Sequence, residues 1–443
     1  MKTKLLLLFL SVFLFQKSQS QNWIELGGLN TLNKLYGNSS LVKIITDKQN
    51  NLYAAGDFVN DSGRVCSFVS KWDGAIWSEL GGKNSLSKCC GINAITIGSS
   101  SDIYAANGDT INKFDGVSWQ QIVCPFLASS RIDAIACDTL GNIYVAGLNE
   151  VYKYDGMNWT LIYNLLQNNS VYKFAIDKNQ HLLAVGGFTG NRSKTFVAQY
   201  TGAGTVWDTL GRLDTLMSCP CPINAIAIDT TGNVYVAGDI TDNAGYFFIG
   251  KWDGQKWTEI GNIHTIFNSY GYFTDLITDN SNNLYAAGLY SGNNHNESFV
   301  AKYNGVSWSK LDDTSNILCP SIGFKSIAVD GNNHVYATGN SNLSWNSYVG
   351  TWGNAATGIP TIQNETTLLI FPNPTNTTTT ITLTKAIDNA TIKLINLFGQ
   401  PIFEKQNQSG NPFTIDLSNQ AAGIYFVEIR QAENIWRSKV VKE

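Results

Sequence analysis

The chain has 443 residues, with 30 Lys and Arg against 34 Asp and Glu and a net charge of -4. That balance gives no basic footprint for a nucleic-acid partner. With 40 Gly, 12 Trp and 19 Tyr and only 14% charged residues, the composition suits an exported all-β protein, and the length allows about two to three domains.

Lys2 and Lys4 precede an apolar run, Leu5 to Phe15, and Ser18-Gln19-Ser20 supplies small residues for cleavage. Residues 1–20 therefore read as a secretory signal peptide, too short in its apolar part to span a bilayer. No cysteine lies near the cut to carry a lipid anchor, and no transmembrane segment is expected after cleavage.

From residue 21 to 353 one unit repeats, and repeats decide the fold before local patterns do. An apolar segment (Leu41–Asp47, Ile92–Gly98, Ile132–Asp138, Tyr172–Asp177, Ile223–Asp229, Phe273–Asp279, Phe324–Asp330) precedes a segment anchored by Tyr53, Tyr104, Tyr144, Leu183, Tyr235, Tyr285 or Tyr336. Two more strands follow around an Asp-Gly type turn, and the last opens on Trp77, Trp119, Trp159, Trp207, Trp257 or Trp308. Four short strands, a to d, recurring every roughly 40 to 50 residues make propeller blades. Seven a strands meet only six of these tryptophans. The missing d strand matches Trp23-Ile24-Glu25-Leu26-Gly27-Gly28 at the N-terminus. The expected fold is a seven-bladed β-propeller over residues 21–353, closed by its N-terminal strand so that no sheet edge is left open.

Residues 354–365 turn small and polar and read as a linker. Residues 366–443 then show alternating strands with Gly-Gln and Ala-Gly turns, the pattern of a small Ig-like β-sandwich. Four motifs stand out in order: Phe371-Pro372-Asn373-Pro374, Asn396-Leu397-Phe398-Gly399-Gln400, Ala422-Gly423-Ile424-Tyr425-Phe426-Val427 and Lys439-Val440-Val441-Lys442. Together they resemble the type A C-terminal sorting domain of type IX secretion cargo in Bacteroidetes. The resemblance implies export in two steps, by the signal peptide and then by residues 366–443. It also implies the type IX machinery and a sortase-like peptidase as partners, and a product released or held at the cell surface. Trp436 is bulkier than that family's pattern suggests. The blades, as in Asp229-Thr230-Thr231-Gly232-Asn233-Val234-Tyr235, resemble NHL-like or SBBP-like bacterial propeller repeats, which serve many functions.

The chemical motifs mostly favour structure. Asp73-Gly74-Ala75-Ile76-Trp77 and its copies lack the residue between Asp and Gly found in the Asp-box of sialidases, so they read as hairpin turns. The Asp-x-x-Gly-Asn turns carry too few acidic ligands for calcium and read as Asx turns. Among four histidines, His181 and His334 fall on the face opposite His264 and His295, which excludes a three-histidine metal site. Of eight cysteines, Cys137 sits in a strand as a free thiol. The others are placed in loops on one face, where Cys66 could pair with Cys89 or Cys90. No nucleophile elbow, phosphate loop or zinc-protease motif is present, and no catalytic residue, metal or cofactor is expected.

The a–b and c–d turns fall on one face and hardly vary. The b–c and d–a loops fall on the other and vary in length and chemistry, which places a site there. Short b–c loops in blades two and three leave a notch. Longer ones elsewhere build a wall carrying Arg64, Arg192, Tyr246, Tyr290, His295 and Trp345. Counting back from the residue that closes each a strand, the third position is large and apolar and the second mostly small (Ala136, Ala175, Ala227, Ala328). The fifth is polar: Asn93, Asp133, Tyr172, Asn224, Thr274 and Lys325, with Val42 the exception. These six should ring the channel mouth, with Arg64, Arg192 and Trp345 in the wall. The expected function is a monomeric, secreted or surface-displayed module that binds a carbohydrate or protein without catalysis. A polysaccharide hydrolase or lyase on the same scaffold, and a structural surface module, remain as alternatives.

Overall fold

The computed structural model describes residues 23–27, 39–59, 65–82, 85–86, 91–125, 131–147, 150–164, 170–187, 197–202, 204–218, 221–267, 271–291, 296–311, 324–340, 347–353, 368–383, 387–396, 400–431 and 434–443. Residues 1–20, expected to be a signal peptide, and residues 354–365, expected to be a linker, lie outside them, as do Arg64, Arg192, Trp345, His295, Cys89, Cys90, Cys219 and Cys319. No helix among the described residues is long and apolar enough to cross a membrane. The chain forms two compact units whose boundary falls between Ala356 and Thr357.

The first unit is seven four-stranded antiparallel sheets. Blade one runs Ser39–Thr46, Leu52–Val59, Val65–Trp72 and Trp77–Glu79. Blade seven is completed by the N-terminal strand, Trp23–Glu25, with Trp23 opposite Trp352 and Glu25 opposite Gly350. The ring is therefore closed as the repeat pattern predicts.

A chain of hydrogen bonds runs the same way round the ring. The indole N–H of Trp77 donates to Leu26 O (3.4 Å), Trp119 to Leu80 O (2.9 Å), Trp159 to Val123 O (2.9 Å) and Trp207 to Ile162 O (3.1 Å). Trp257 donates to Leu210 O (2.6 Å), Trp308 to Ile260 O (3.3 Å) and Trp23 to Leu311 O (2.9 Å). Each tryptophan reaches a carbonyl near the end of the d strand of the preceding blade, just beyond it in five cases, at its last residue for Val123 and within it for Ile162. A half-buried indole needs a partner for its N–H, and the neighbouring blade supplies it.

Between blades the core interleaves large on small. Ala328 of blade seven packs in one cluster with Ile44 of blade one, Ala227 with Leu276, Ala136 with Phe174 and Ala175 with Ile226. Alternating bulk lets adjacent sheets close to the density of an organic crystal.

Six of the seven a–b turns repeat one network around an aspartate; blade two has Gly98 in its place. Asp229 accepts from the backbone N–H of Thr231 and Asn233, from the Asn233 amide and from the Tyr235 hydroxyl. Asp47, Asp138 and Asp279 do the same in their blades. In blades four and seven the asparagine is replaced by His181 and His334, whose Nδ1 meets Asp177 and Asp330 at 2.9 and 2.8 Å. The third turn residue is left-handed in every blade: Asn50, Ser101, Gly141, Gln180, Gly232, Asn282 and Asn333. Glycine and asparagine tolerate that conformation best.

The second unit packs a three-stranded sheet, with strands Leu368–Phe371, Thr378–Leu383 and Phe413–Asp416, with a four-stranded one ordered Pro401–Gly410, Ile387–Asn396, Gly423–Gln431, Asn434–Lys442. Its core joins Ile381, Ile392, Leu394, Ile415, Val427, Ile429 and Val440, and the bulky Trp436 belongs to it. The motifs have structural jobs. The Asn373 amide donates to Lys439 O and its carbonyl accepts from Val441 N, tying the first motif to the last. Asn396 and Gln400 bond each other across their turn, and the Tyr425 hydroxyl donates to Ala421 O.

Candidate functional site

The fifth position of each a strand is not a regular strand residue. In blades one, two, four, five, six and seven the register shifts across it, at Val42, Asn93, Tyr172, Asn224, Thr274 and Lys325. Each is the extra residue of a β-bulge, which re-aims a side chain. In blade three Asp133 stands just before the strand Ala134–Cys137, with its backbone N–H on Ala146 O.

The six polar side chains meet different fates. Thr274 donates to Phe324 O of blade seven at 2.6 Å. Asn224 donates to Asp239 at 3.0 Å and toward Phe273 O of blade six at 3.5 Å. Lys325 faces the charge of Asp57 in blade one, while burial pulls its own ammonium down. Asp133 is ion-paired with Arg131 at 2.7 Å. Tyr172 is exposed. The Asn93 amide nitrogen is buried and has no hydrogen-bond partner. Thr274 and Asn224 therefore tie neighbouring blades together, a role that residue type and position alone do not reveal.

One layer deeper, at the fourth position, lies a feature the sequence reading missed. Lys43 of blade one reaches Asp275 Oδ2 of blade six at 2.7 Å, and Lys173 of blade four holds Asp275 Oδ1. Ser326 Oγ (3.0 Å) and Ile327 N (3.1 Å) also donate to Asp275. Burial alone would raise this carboxyl, but Lys173 and Lys43 overcome it and hold it well below the usual range. Burial pulls Lys173 down to about 8 against the attraction of Asp275. The bridge crosses the channel just inside the mouth. Beyond it, toward the turn face, a cavity of about 290 Å³ is lined by Ile44, Thr46, Ile226, Leu276 and Ile327, with Lys43, Lys173 and Asp275 at its border. The signal was present in one column: Lys43, Ala94, Ala134, Lys173, Ala225, Asp275, Ser326.

On the loop face of blade one, burial pushes the Asp57 carboxyl up, and it accepts from Ile92 N and Ser67 Oγ. Asp239 of blade five is likewise raised by burial. Asn107, which ends the b strand of blade two, is 1% exposed, and neither polar atom of its side chain has a partner. Among the described residues one group could hold a metal ion: Asp242, Glu259 and His264 of blade five.

The wall is only partly within the described residues. Strands b and c of blades one and six reach eight residues, against five in blades two and three. At about 3.3 Å per residue this is a projection of about 10 Å. Tyr290 lies in a strand and packs on Phe267, and Tyr246 stacks on His264. Cys66 is also in a strand, Val65–Trp72, which corrects its placement in a loop, since the blade-one hairpin continues past the core. Cys137 is a free, half-buried thiol, and Cys221 is disulfide-bonded.

Residues 369–443 match the family described as the secretion system C-terminal sorting domain. The chain thus carries a type IX sorting domain and is a secreted or outer-membrane-surface protein. No curated protein matches it. Among solved structures, PorZ, a surface component of the type-IX secretion system of Porphyromonas gingivalis, is similar at 15% identity and a TM-score of 0.49, over 92% of this chain. This chain spans 60% of the length of that one. A virginiamycin B lyase from Staphylococcus aureus with quinupristin is similar at 13% identity, over 75% of this chain and 99% of that one, with a TM-score of 0.50. The WD40 repeats of RRP9 are similar at 9% identity, over 76% and 99%, with a TM-score of 0.52. At such identities the likeness is one of fold alone.

Proposed function

We propose that the propeller is a non-catalytic binding module, displayed outside the cell, that takes a carbohydrate or protein at the channel mouth on its loop face. The observation that carries this reading is where unmet polar groups sit. In the described propeller, the buried side-chain atoms without a hydrogen-bond partner all lie on the loop face: Asn93 and Asn107 belong to the two inner strands of blade two, next to the mouth, while Glu259 and His264 lie farther out, at the end of the d strand of blade five and in the turn after it. Buried groups left unpaired are costly, and a ligand that pairs them recovers that cost. The Lys43–Asp275–Lys173 bridge floors the mouth, making a concave polar cup of the kind ligands use. It also keeps Asp275 ionised, which suits a fixed electrostatic floor better than a proton donor.

The test is glycan-array binding of the full chain beside a polysaccharide-degradation screen. Asp133→Ala with Lys325→Ala should weaken binding of any ligand found while leaving the melting temperature nearly unchanged. Full binding by the double variant would move the site outward to Arg64, Arg192 and Trp345. Turnover in the screen would instead favour a hydrolase or lyase, for which the raised carboxyls of Asp57 and Asp239 are the first groups to substitute. Export itself rests on residues 366–443, and a chain lacking them should remain in the periplasm on cell fractionation.

A further inference from the structure

We propose that Asp242, Glu259 and His264 form a binding site for a first-row divalent cation such as Zn²⁺ on the loop face of blade five. Each residue comes from a separate, locally fixed piece of chain. Asp242 opens a tight turn in the b–c loop: its Oδ1 accepts from Ala244 N (2.8 Å) and Tyr246 N (2.9 Å), and Thr241 pairs with Phe247 across it. Glu259 ends the d strand Trp257–Glu259. His264 lies in the 3-10 turn Ile263–Thr265, and the Tyr246 ring stacks on it at 4.8 Å and 22°.

One donor atom from each residue lies within 4.8 Å of the others. Glu259 Oε1 and His264 Nδ1 face each other at 4.0 Å, and both are buried without a hydrogen-bond partner. That pairing argues for a missing third party. A hydrogen bond would draw the two atoms to about 3 Å, whereas tetrahedral ligation holds donors about 3.3–3.6 Å apart at metal–donor lengths of about 2.0–2.2 Å. Small side-chain rotations close the observed spacing around an ion. Burial and the charge of Asp242 both push the Glu259 carboxyl up, so two acids crowd one place, and a cation relieves that repulsion. One imidazole nitrogen with two carboxylates suits Zn²⁺ or Mn²⁺. Calcium prefers oxygen ligands only. Three protein donors leave a fourth position for water or for an oxygen of a bound molecule, on the face where such a molecule would arrive.

The experiment is calorimetric titration of untagged, EDTA-treated full chain with Zn²⁺, alongside the visible spectrum of the Co²⁺ form. The expected result is one saturable site, a Co²⁺ spectrum of low coordination number, and a melting temperature raised by Zn²⁺. His264→Gln and Glu259→Gln should each weaken binding by at least about tenfold. His181→Gln and His334→Gln, on the opposite face, should leave it unchanged. Absence of a saturable site in the unsubstituted chain overturns the proposal. So does binding that survives both site variants or follows His181 or His334. Should a site variant fail to fold, the Co²⁺ spectrum of the unsubstituted chain still decides between low-coordinate ligation and none.

Discussion

On the turn face of the propeller, Asp47, Asp138, Asp229 and Asp279 spend both carboxylate oxygens inside their own turns. The turns also hold one another: Thr139 bonds Gln180, Thr230 bonds Asn282 and Gly331 bonds Asn50. On the loop face the a strands of six blades begin at bulges, Asn107 ends the b strand of blade two and Asp239 follows that of blade five, and Asn93, Asn107, Glu259 and His264 keep buried atoms unpaired. One end of each blade is therefore built for stability, and the other carries groups whose partners come from elsewhere. Position in the blade, more than residue type, decides whether an asparagine or a carboxylate is used up by the fold.

The largest effect tests the frame on which both faces rest. Deleting residues 21–28 leaves the strand Ser347–Trp352 as an open edge. The expected outcome is aggregation, or a melting temperature lower by roughly 10 °C or more. An unchanged melt would show that closure does not hold the faces together. Next comes Asp275, between the two faces. Asp275→Asn leaves Lys43 and Lys173 without their countercharge, and a urea titration should read a loss of about 3–5 kcal/mol. The same bridge sets an acid dependence. The folded carboxyl titrates below its unfolded value of about 3.9. Its contribution is therefore full above about pH 4 and fades as the pH falls below that, a fading that Asp275→Asn should abolish.

A smaller loss separates the faces directly. Asp229→Ala on the turn face removes one acceptor serving two backbone N–H groups, Asn233 and the buried Tyr235 hydroxyl, and should cost about 2–3 kcal/mol by chemical denaturation. The smallest expected effect is Asn107→Leu on the loop face. It removes two unpaired polar atoms at similar volume and should change stability by less than about 1 kcal/mol in either direction. A loss of more than about 2 kcal/mol there would reveal an ordered water doing for Asn107 what the turn does for Asp229, and the contrast would dissolve.

The parts of this fold that repeat locally were legible in the residues. Trp23 announces itself as a missing d strand because Trp77 and its copies show what such a strand looks like. The Asp-x-x-Gly-Asn turns read as self-contained because all their partners lie within six residues. The bulges were not legible: one extra residue at Asn224 or Thr274 re-aims a side chain without altering the apolar pattern around it. Nor was the channel bridge, whose members Lys43, Lys173 and Asp275 are each ordinary beside their sequence neighbours. They gain meaning only when seven strands are aligned and one column is read across the ring. The Asp242, Glu259 and His264 group depends on the course of two irregular loops, which periodicity does not describe.

The ring of indole-to-carbonyl bonds sets an order of events. Six of the seven join residues 36 to 51 apart in the chain, whereas Trp23 to Leu311 spans 288. Loop closure over the longer span costs roughly 1–2 kcal/mol more in chain entropy. Blades one to six are closed by contacts between near neighbours in the chain, whereas the seventh needs the N-terminal strand to meet the c strand Ser347–Trp352 from the far end of the propeller segment. Until then the protein is an arc with a sticky end. That clasp is the one contact of the indole ring that has to wait until the whole propeller segment is present.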